Sequence, residues 1–326
     1  MEKPYILGVD LGGTAVKLAI LSRDGGMVEK WSIATDKTNG GENIVPQIAA
    51  SFFEKCSELH LSREQFIGVG MGAPGPVVDE SVVTRAVNVG WVNYPLKEKL
   101  VAAIGLPAFI GNDANCAAAG ELWIGAAKGM KNVICLTLGT GVGGGVIVDG
   151  KIVEGITGGA GEIGHMTVQM DGGELCSCGK RGCLETIASG KGAIRLAMER
   201  LKDPGVSSGL RRIYEENQAV TAKDVFDQAA EGDPVAREIV EEIVRYLGYG
   251  IGALCSIFNP EAIVIGGGLS NAGKTLIDPL HKYVEQFAFP ATAKDTKILL
   301  AKLGNDAGVI GAGYLVAQHF KEPIEM

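Results

Sequence analysis

Apolar and β-branched residues crowd two short stretches near the start of the chain, Tyr5-Ile6-Leu7-Gly8-Val9-Asp10 and Val16-Lys17-Leu18-Ala19-Ile20-Leu21, with Leu11-Gly12-Gly13-Thr14 between them. Apolar runs joined by glycines, with no room for a helix, predict a hairpin, and Asp24-Gly25-Gly26 supplies the next turn. The plan recurs downstream: Val133-Ile134-Cys135-Leu136-Thr137-Leu138, then Gly139-Thr140-Gly141, then Gly145-Val146-Ile147-Val148, the Asp149-Gly150 turn and Lys151-Ile152-Val153. Val9–Thr14 aligns with Leu136–Gly141. A repeated unit of strand, glycine turn and strand predicts a duplicated α/β fold, two lobes with an active-site cleft between them.

Helical periodicity fills much of the remainder, at Asn43–Leu59, Ala114–Gly125, Lys191–Leu201, Thr221–Glu231, Pro234–Phe258 and about Ala307–Phe320, with Thr221 and Asp233 as caps. Further strands are expected at Pro107–Gly111, Glu261–Ile265 and Ile298–Leu300. The boundary falls near Ala114–Glu121. Residues 1–115 form a small N-terminal lobe together with a C-terminal helix 306–326, and 116–305 a large lobe.

The length of 326 residues accords with two domains. No apolar run approaches the roughly 20 residues of a bilayer span, and Glu2 and Lys3 lead straight into strand-like sequence, so neither a membrane nor a signal peptide is expected and the cytoplasm is the expected compartment. A net charge of −8 speaks against a nucleic-acid partner. The 48 glycines mark backbone positions that need φ > 0 or close approach to a ligand. Cys56, Cys116, Cys135 and Cys255 stand singly in apolar segments and read as core thiols.

Three glycine turns end strands: Gly12-Gly13-Thr14, Gly139-Thr140-Gly141 and Gly266-Gly267-Gly268. Each aims backbone N–H groups at an anion, as phosphate nests do, or is a tight turn; three in a duplicated frame favour a nucleotide, with Asp10 placed to hold Mg²⁺ or its water. Two other motifs compete. Gly139-x-Gly141-x-x-Gly144 fits the dinucleotide fingerprint, but a strand follows where that motif opens a helix. Gly268-Leu269-Ser270-Asn271-Ala272-Gly273-Lys274-Thr275 fits a P-loop, yet only one short strand and one helix remain after it, too little for such a domain, so Lys274 is expected in the first turn of a helix. His165, Cys176, Cys178 and Cys183 offer four N and S donors, a closed tetrahedral set for structural Zn²⁺. The alternatives are a disulfide, which a reducing cytosol disfavours, or chance core thiols.

The run Cys176-Ser177-Cys178-Gly179-Lys180-Arg181-Gly182-Cys183-Leu184-Glu185 closely resembles the signature of the ROK family of repressors, open reading frames and sugar kinases. Gly161-Glu162-Ile163-Gly164-His165, Asn112-Asp113-Ala114-Asn115 and Asp10-Leu11-Gly12-Gly13-Thr14 resemble its other motifs in order and spacing, and bacterial glucokinases are the members most resembled. The resemblance implies an actin-like ATPase (ribonuclease H-like) fold and phosphorylation of glucose by ATP at the 6-hydroxyl. Asp113 becomes the general base, and Asn112, Asp113, Glu162, His165 and Glu185 the sugar ligands, His165 also giving its other ring nitrogen to zinc. ATP contacts fall on Asp10, Gly12, Gly13, Thr14, Lys17, Gly139, Thr140, Gly141, Gly266, Gly267 and Gly268. Oriented carboxylates and amides suit a sugar, whose hydroxyls both donate and accept. As a carboxylate between strand and helix, Asp113 also suits capping. The resemblance further implies a homodimer and leaves a tetramer open. Kinases for fructose, mannose, N-acetylglucosamine or N-acetylmannosamine remain alternatives. A sugar-sensing repressor is disfavoured, since strand and Asp10 begin where such proteins carry a helix-turn-helix.

Overall fold

The computed structural model describes residues 3–320; Glu2 and the 321–326 end of the expected C-terminal helix lie outside them. In chain order the elements are β1 (Tyr5–Leu11), β2 (Ala15–Ser22), β3 (Met27–Ala34), α1 (Ile44–Glu58), β4 (Phe66–Ala73), β5 (Val77–Val78), β6 (Val82–Ala86), β7 (Trp91–Tyr94), α2 (Leu96–Ile104), β8 (Ala108–Asn112) and α3 (Asp113–Trp123). Then come β9 (Val133–Leu138), β10 (Val142–Val148), β11 (Lys151–Ile152), α4 (Gly190–Leu201), α5 (Gly209–Asn217), α6 (Ala222–Glu231) and α7 (Pro234–Phe258). The last are β12 (Ala262–Gly266), α8 (Lys274–Phe287), α9 (Pro290–Asp295), β13 (Lys297–Leu300) and α10 (Ala307–His319). The long periodic helices and the glycine-flanked strands form where the pattern predicts them. Strand β4 was not among the expected elements, its alternating glycines masking the strand pattern, and the short elements β5–β7, α2, α5 and α9 were not legible, because each is too short or too polar to carry a period of its own.

The chain divides into two compact units. The first takes residues up to Gly129, Gly145–Gly161 and those from Asn305 on. Its sheet runs β3-β2-β1-β4-β8, antiparallel through the hairpins and parallel across β1, β4 and β8. The interior strand β4, Phe-Ile-Gly-Val-Gly-Met-Gly-Ala, lies between β1 and β8 and is buried at every position, as a strand flanked by neighbours and covered on both faces must be. The edge strand β3 alternates partly buried with exposed positions. Phe52 of α1 meets Phe66 edge-on at 5.0 Å, and Trp91 stacks on Tyr94 at 4.2 Å. Helix α10 packs on α3 and on this sheet. The Asp149-Gly150 turn joins β10 to β11 with φ of 52° and 76°, the double positive φ of a two-residue hairpin.

The second unit takes Met130–Gly144 and Glu162–Gly304. Strand β12 lies parallel between β9 and β13, with Ala262 opposite both Val133 and Lys297. The 25-residue helix α7 packs on α8, α6 and α4. Both expected caps are in place: Thr221 forms a capping box with Asp224, and the Asp233 carboxylate accepts from the Ala236 N–H at 2.8 Å, ahead of Pro234 at the first helical position. Cys56, Cys116, Cys135 and Cys255 are buried and unbridged. No helix among the described residues is long and apolar enough to cross a membrane.

Candidate active site

In the first unit, the Gly12–Thr14 turn is closed by the Gly12 N–H donating to the Ala15 carbonyl (3.0 Å) and braced by Thr35, whose N–H donates to the Thr14 carbonyl (3.0 Å). Asp10, next to last in β1, has its carboxylate 3.2 Å from Lys17 Nζ, and Lys17 also donates to the Asn305 carbonyl at 2.9 Å. Lys17 is therefore held against Asp10. At the C-terminal end of β8, the helix cap falls to Asn112 and not to Asp113: Asn112 Oδ1 accepts from the N–H groups of Ala114 (2.9 Å) and Asn115 (3.2 Å). The extended backbone at Asn112 and helical backbone at Asp113 set this choice, because the cap residue lies just before the first helical φ/ψ. Asn112 Nδ2 donates to the Gly75 carbonyl at 3.0 Å, which leaves its second N–H for a ligand. Asp113, relieved of capping, opens α3 half-buried, with Oδ1 accepting from the Ala114 N–H at 2.8 Å.

In the second unit, the turn after β9 is pinned from two sides: the Gly139 N–H donates to the Gly141 carbonyl (2.9 Å), and the Gly190 N–H, opening α4, donates to the Gly139 carbonyl (2.8 Å). Gly139, Thr140 and Gly268 border a cavity of about 590 Å³, which Lys191, Phe226 and Asn271 help to line. That volume is within the usual range for small-molecule and cofactor sites. Lys274 is exposed, is the first residue of α8 and stands outside the lining, so the P-loop pattern has no P-loop geometry. Lys191 and Phe226 carry no motif and Asn271 falls on a variable position of the rejected P-loop pattern, so the part of all three in the cavity comes from the packing of α4, α6 and the Gly268 turn.

The donor atoms of His165, Cys176, Cys178 and Cys183 lie within 4.8 Å of one another. His165 Nδ1 is 3.4 Å from Cys176 Sγ, and Cys178 Sγ is 3.6 Å from Cys183 Sγ. A tetrahedral zinc with bonds of about 2.0–2.3 Å needs its donors about 3.5–3.8 Å apart; the donor set fits, the His165–Cys176 and Cys178–Cys183 pairs stand close to that spacing, and the widest separation would have to close by about 1 Å on a bound ion. The loop reaches this geometry by doubling back: Cys176 N–H donates to the Lys180 carbonyl at 2.8 Å, and Gly182 adopts φ 76° with its Cα facing the Gln169 carbonyl, where a Cβ would stand 1.9 Å from the oxygen. Burial pushes the Cys183 thiol up to about 12, whereas the Lys180 backbone N–H pulls the exposed Cys178 thiol down. Without a metal, Cys183 holds its proton; a metal ligand must give it up.

His165 turns its other nitrogen outward, Nε2 lying 3.9 Å from the Glu162 carboxylate. Glu185 is half-buried and ties the donor loop to the Gly139–Gly141 turn. Its Oε2 accepts from the Val142 N–H at 3.0 Å and its Oε1 from the Ser177 hydroxyl at 3.2 Å. A Cβ at position 141 would stand 2.2 Å from Glu185 Oε2, so only glycine lets the carboxylate and the turn meet. The second unit thus joins His165, Glu162, Glu185 and the metal donors in one cluster.

The ROK family pattern matches residues 6–319. A glucokinase from Halalkalibacterium halodurans is 47% identical over 319 residues, covering 98% of this chain and 96% of that protein. A xylose repressor from Caldicellulosiruptor bescii is 34% identical, covering 94% of this chain and 76% of the repressor. Among solved structures, a ROK family glucokinase from Streptomyces griseus in complex with glucose and AMPPNP aligns with a TM-score of 0.78 at 36% identity, over 96% of this chain and 99% of that one. The fold is accordingly the mixed α/β, actin-like ATPase fold of these sugar kinases. With family pattern, sequence relatives and solved structures agreeing along nearly its whole length, the chain belongs to the ROK family.

Proposed function

We propose that this chain is an ATP-dependent kinase that converts glucose to glucose 6-phosphate. The observation that carries the reading is the end-to-end likeness to a glucokinase solved with glucose and AMPPNP, supported by 47% identity to a second glucokinase. Asp113 accepts the proton of the 6-hydroxyl as its oxygen attacks the γ-phosphorus and ADP departs. Such transfer rests on positioning and charge neutralisation. Asn112, Glu162, His165 and Glu185 bind the other hydroxyls. ATP contacts fall to Gly13 and Thr14 of the first unit and to Thr140, Gly141 and the Gly266–Gly268 turn of the second, while Gly12 and Gly139 use their own N–H groups to close those turns and shape them for the ligand. Asp10 would hold the Mg²⁺ that comes with the nucleotide, or a water on it, and the ion would supply charge neutralisation for the transfer. His165, Cys176, Cys178 and Cys183 would hold a zinc ion with all four positions taken by protein, and it would serve structure. The family resemblance supports a homodimer or a tetramer, acting in the cytoplasm.

An assay of ADP release across glucose, fructose, mannose, N-acetylglucosamine and N-acetylmannosamine tests the substrate. Glucose should give the highest kcat/KM; a tenfold preference for any other sugar would replace the substrate and keep the chemistry.

The nucleotide assignment has its own test. Lys274→Ala should change the KM for ATP at most several-fold, because Lys274 lies beyond the cavity. Thr140→Val should be far more damaging, since it puts a methyl in place of a hydroxyl at the cavity border. An essential Lys274 beside a dispensable Thr140 would overturn the phosphate assignment.

A further inference from the structure

Glu185 is held by two donors on opposite oxygens, and one of them comes from an exposed side chain between two metal donors. Its Oε2 is fixed by the Val142 backbone N–H, which no substitution removes except proline. Around Oε1 lie the Ser177 hydroxyl at 3.2 Å and Cys176 Sγ at 3.9 Å. These two neighbours are not equivalent. A cysteine that ligates a metal does so as thiolate and has no proton to give. With the metal bound, Cys176 would set a partial negative charge beside the carboxylate, and Ser177 is the hydroxyl that offsets it. Hydrogen bonds to a charged acceptor are the stronger class, and they orient it.

We propose that Ser177 is a positioning residue for the sugar: its hydroxyl fixes the rotation of the Glu185 carboxylate, so that the lone pairs not used by Val142 and Ser177 face the sugar hydroxyls. The proposal rests on the reading of Glu185 as a sugar ligand. A carboxylate has about four acceptor sites, and the two protein donors consume two of them, one on each oxygen. Binding a hydroxyl through the remainder demands that the carboxylate not turn about its last torsion, which is broad for a glutamate left alone. The serine belongs to the metal loop itself, so it also gives that loop a direct hold on the sugar ligand, separate from the loop's part in folding.

The test compares Ser177→Ala, Ser177→Thr and Glu185→Gln in the full chain, measuring zinc content, glucose affinity without nucleotide, and KM for each substrate. Ser177→Ala should keep the wild-type zinc content, raise the glucose Kd and KM roughly three- to tenfold, and leave the KM for ATP within about twofold. Ser177→Thr, which keeps the hydroxyl, should restore glucose affinity. Adding Ser177→Ala to Glu185→Gln should cost nothing further. An unchanged glucose Kd in Ser177→Ala, with Glu185→Gln crippled, would overturn the role of Ser177 and leave the sugar reading standing. Equal losses in the alanine and threonine variants, or loss of zinc in Ser177→Ala, would also overturn it. Undiminished glucose binding in Glu185→Gln would remove Glu185 from the sugar site, and the proposal with it.

Discussion

Asp113→Asn should lower kcat by roughly 10²–10⁴ while glucose affinity stays within a few-fold, the usual consequence of removing a general base. Local structure makes this a clean experiment. Asn112, not Asp113, caps α3, so the substitution leaves the cap untouched. The hydrogen bond that Asp113 Oδ1 accepts from the Ala114 N–H is one an asparagine Oδ1 can also accept. The negative charge that the first turn loses is worth about 0.3–1 kcal/mol. The expected rise in the barrier is about 2.7–5.5 kcal/mol, so the two effects are separable by measuring Tm beside kcat. A variant keeping more than half of wild-type kcat would take the general-base role from Asp113.

Cys178→Ala should lose metal, thermal stability and activity together. Protein purified without chelator is expected to carry about one zinc per chain by elemental analysis. Cys178 is the exposed member of the four donors, so its truncation opens no cavity in the core, and a large loss of stability can be laid to the metal. Structural zinc contributes folding free energy directly. Losing even ~3 kcal/mol lowers Tm by about 6–12 °C, at about 2–4 °C per kcal/mol for a domain of this size. Activity should fall with it, because the donor loop carries Ser177 and the start of the hydrogen-bonded path through Glu185 to Val142. Zinc-free protein with full activity would sink the metal assignment.

The features legible in the sequence are those whose parts are neighbours along the chain. Strand, turn and strand at Tyr5–Ser22, the Asp149-Gly150 hairpin, the Thr221 and Asp233 caps and the cysteine-glycine loop each depend on contacts a few residues apart, and local backbone preference encodes them directly. The rejection of a P-loop at Lys274 was legible for a related reason: too few elements follow it to complete such a domain. Tertiary structure decided the rest. The sequence allows either Asn112 or Asp113 as the cap, and the extended backbone at the end of β8, with the reach of Asn112 to Gly75, selects the first. No local pattern marks Lys191, Phe226 or Asn271 as lining a cavity with Thr140, because their meeting depends on where α4, α6 and the Gly268 turn pack. Nor does one reveal that Gly141 is glycine so that Glu185 can reach Val142, a contact between residues 43 positions apart. The chain's periodicity writes which face of each element is buried; which residues of different elements touch is settled only when those faces close on one another, and the hydrogen bonds that orient a site belong to that second step.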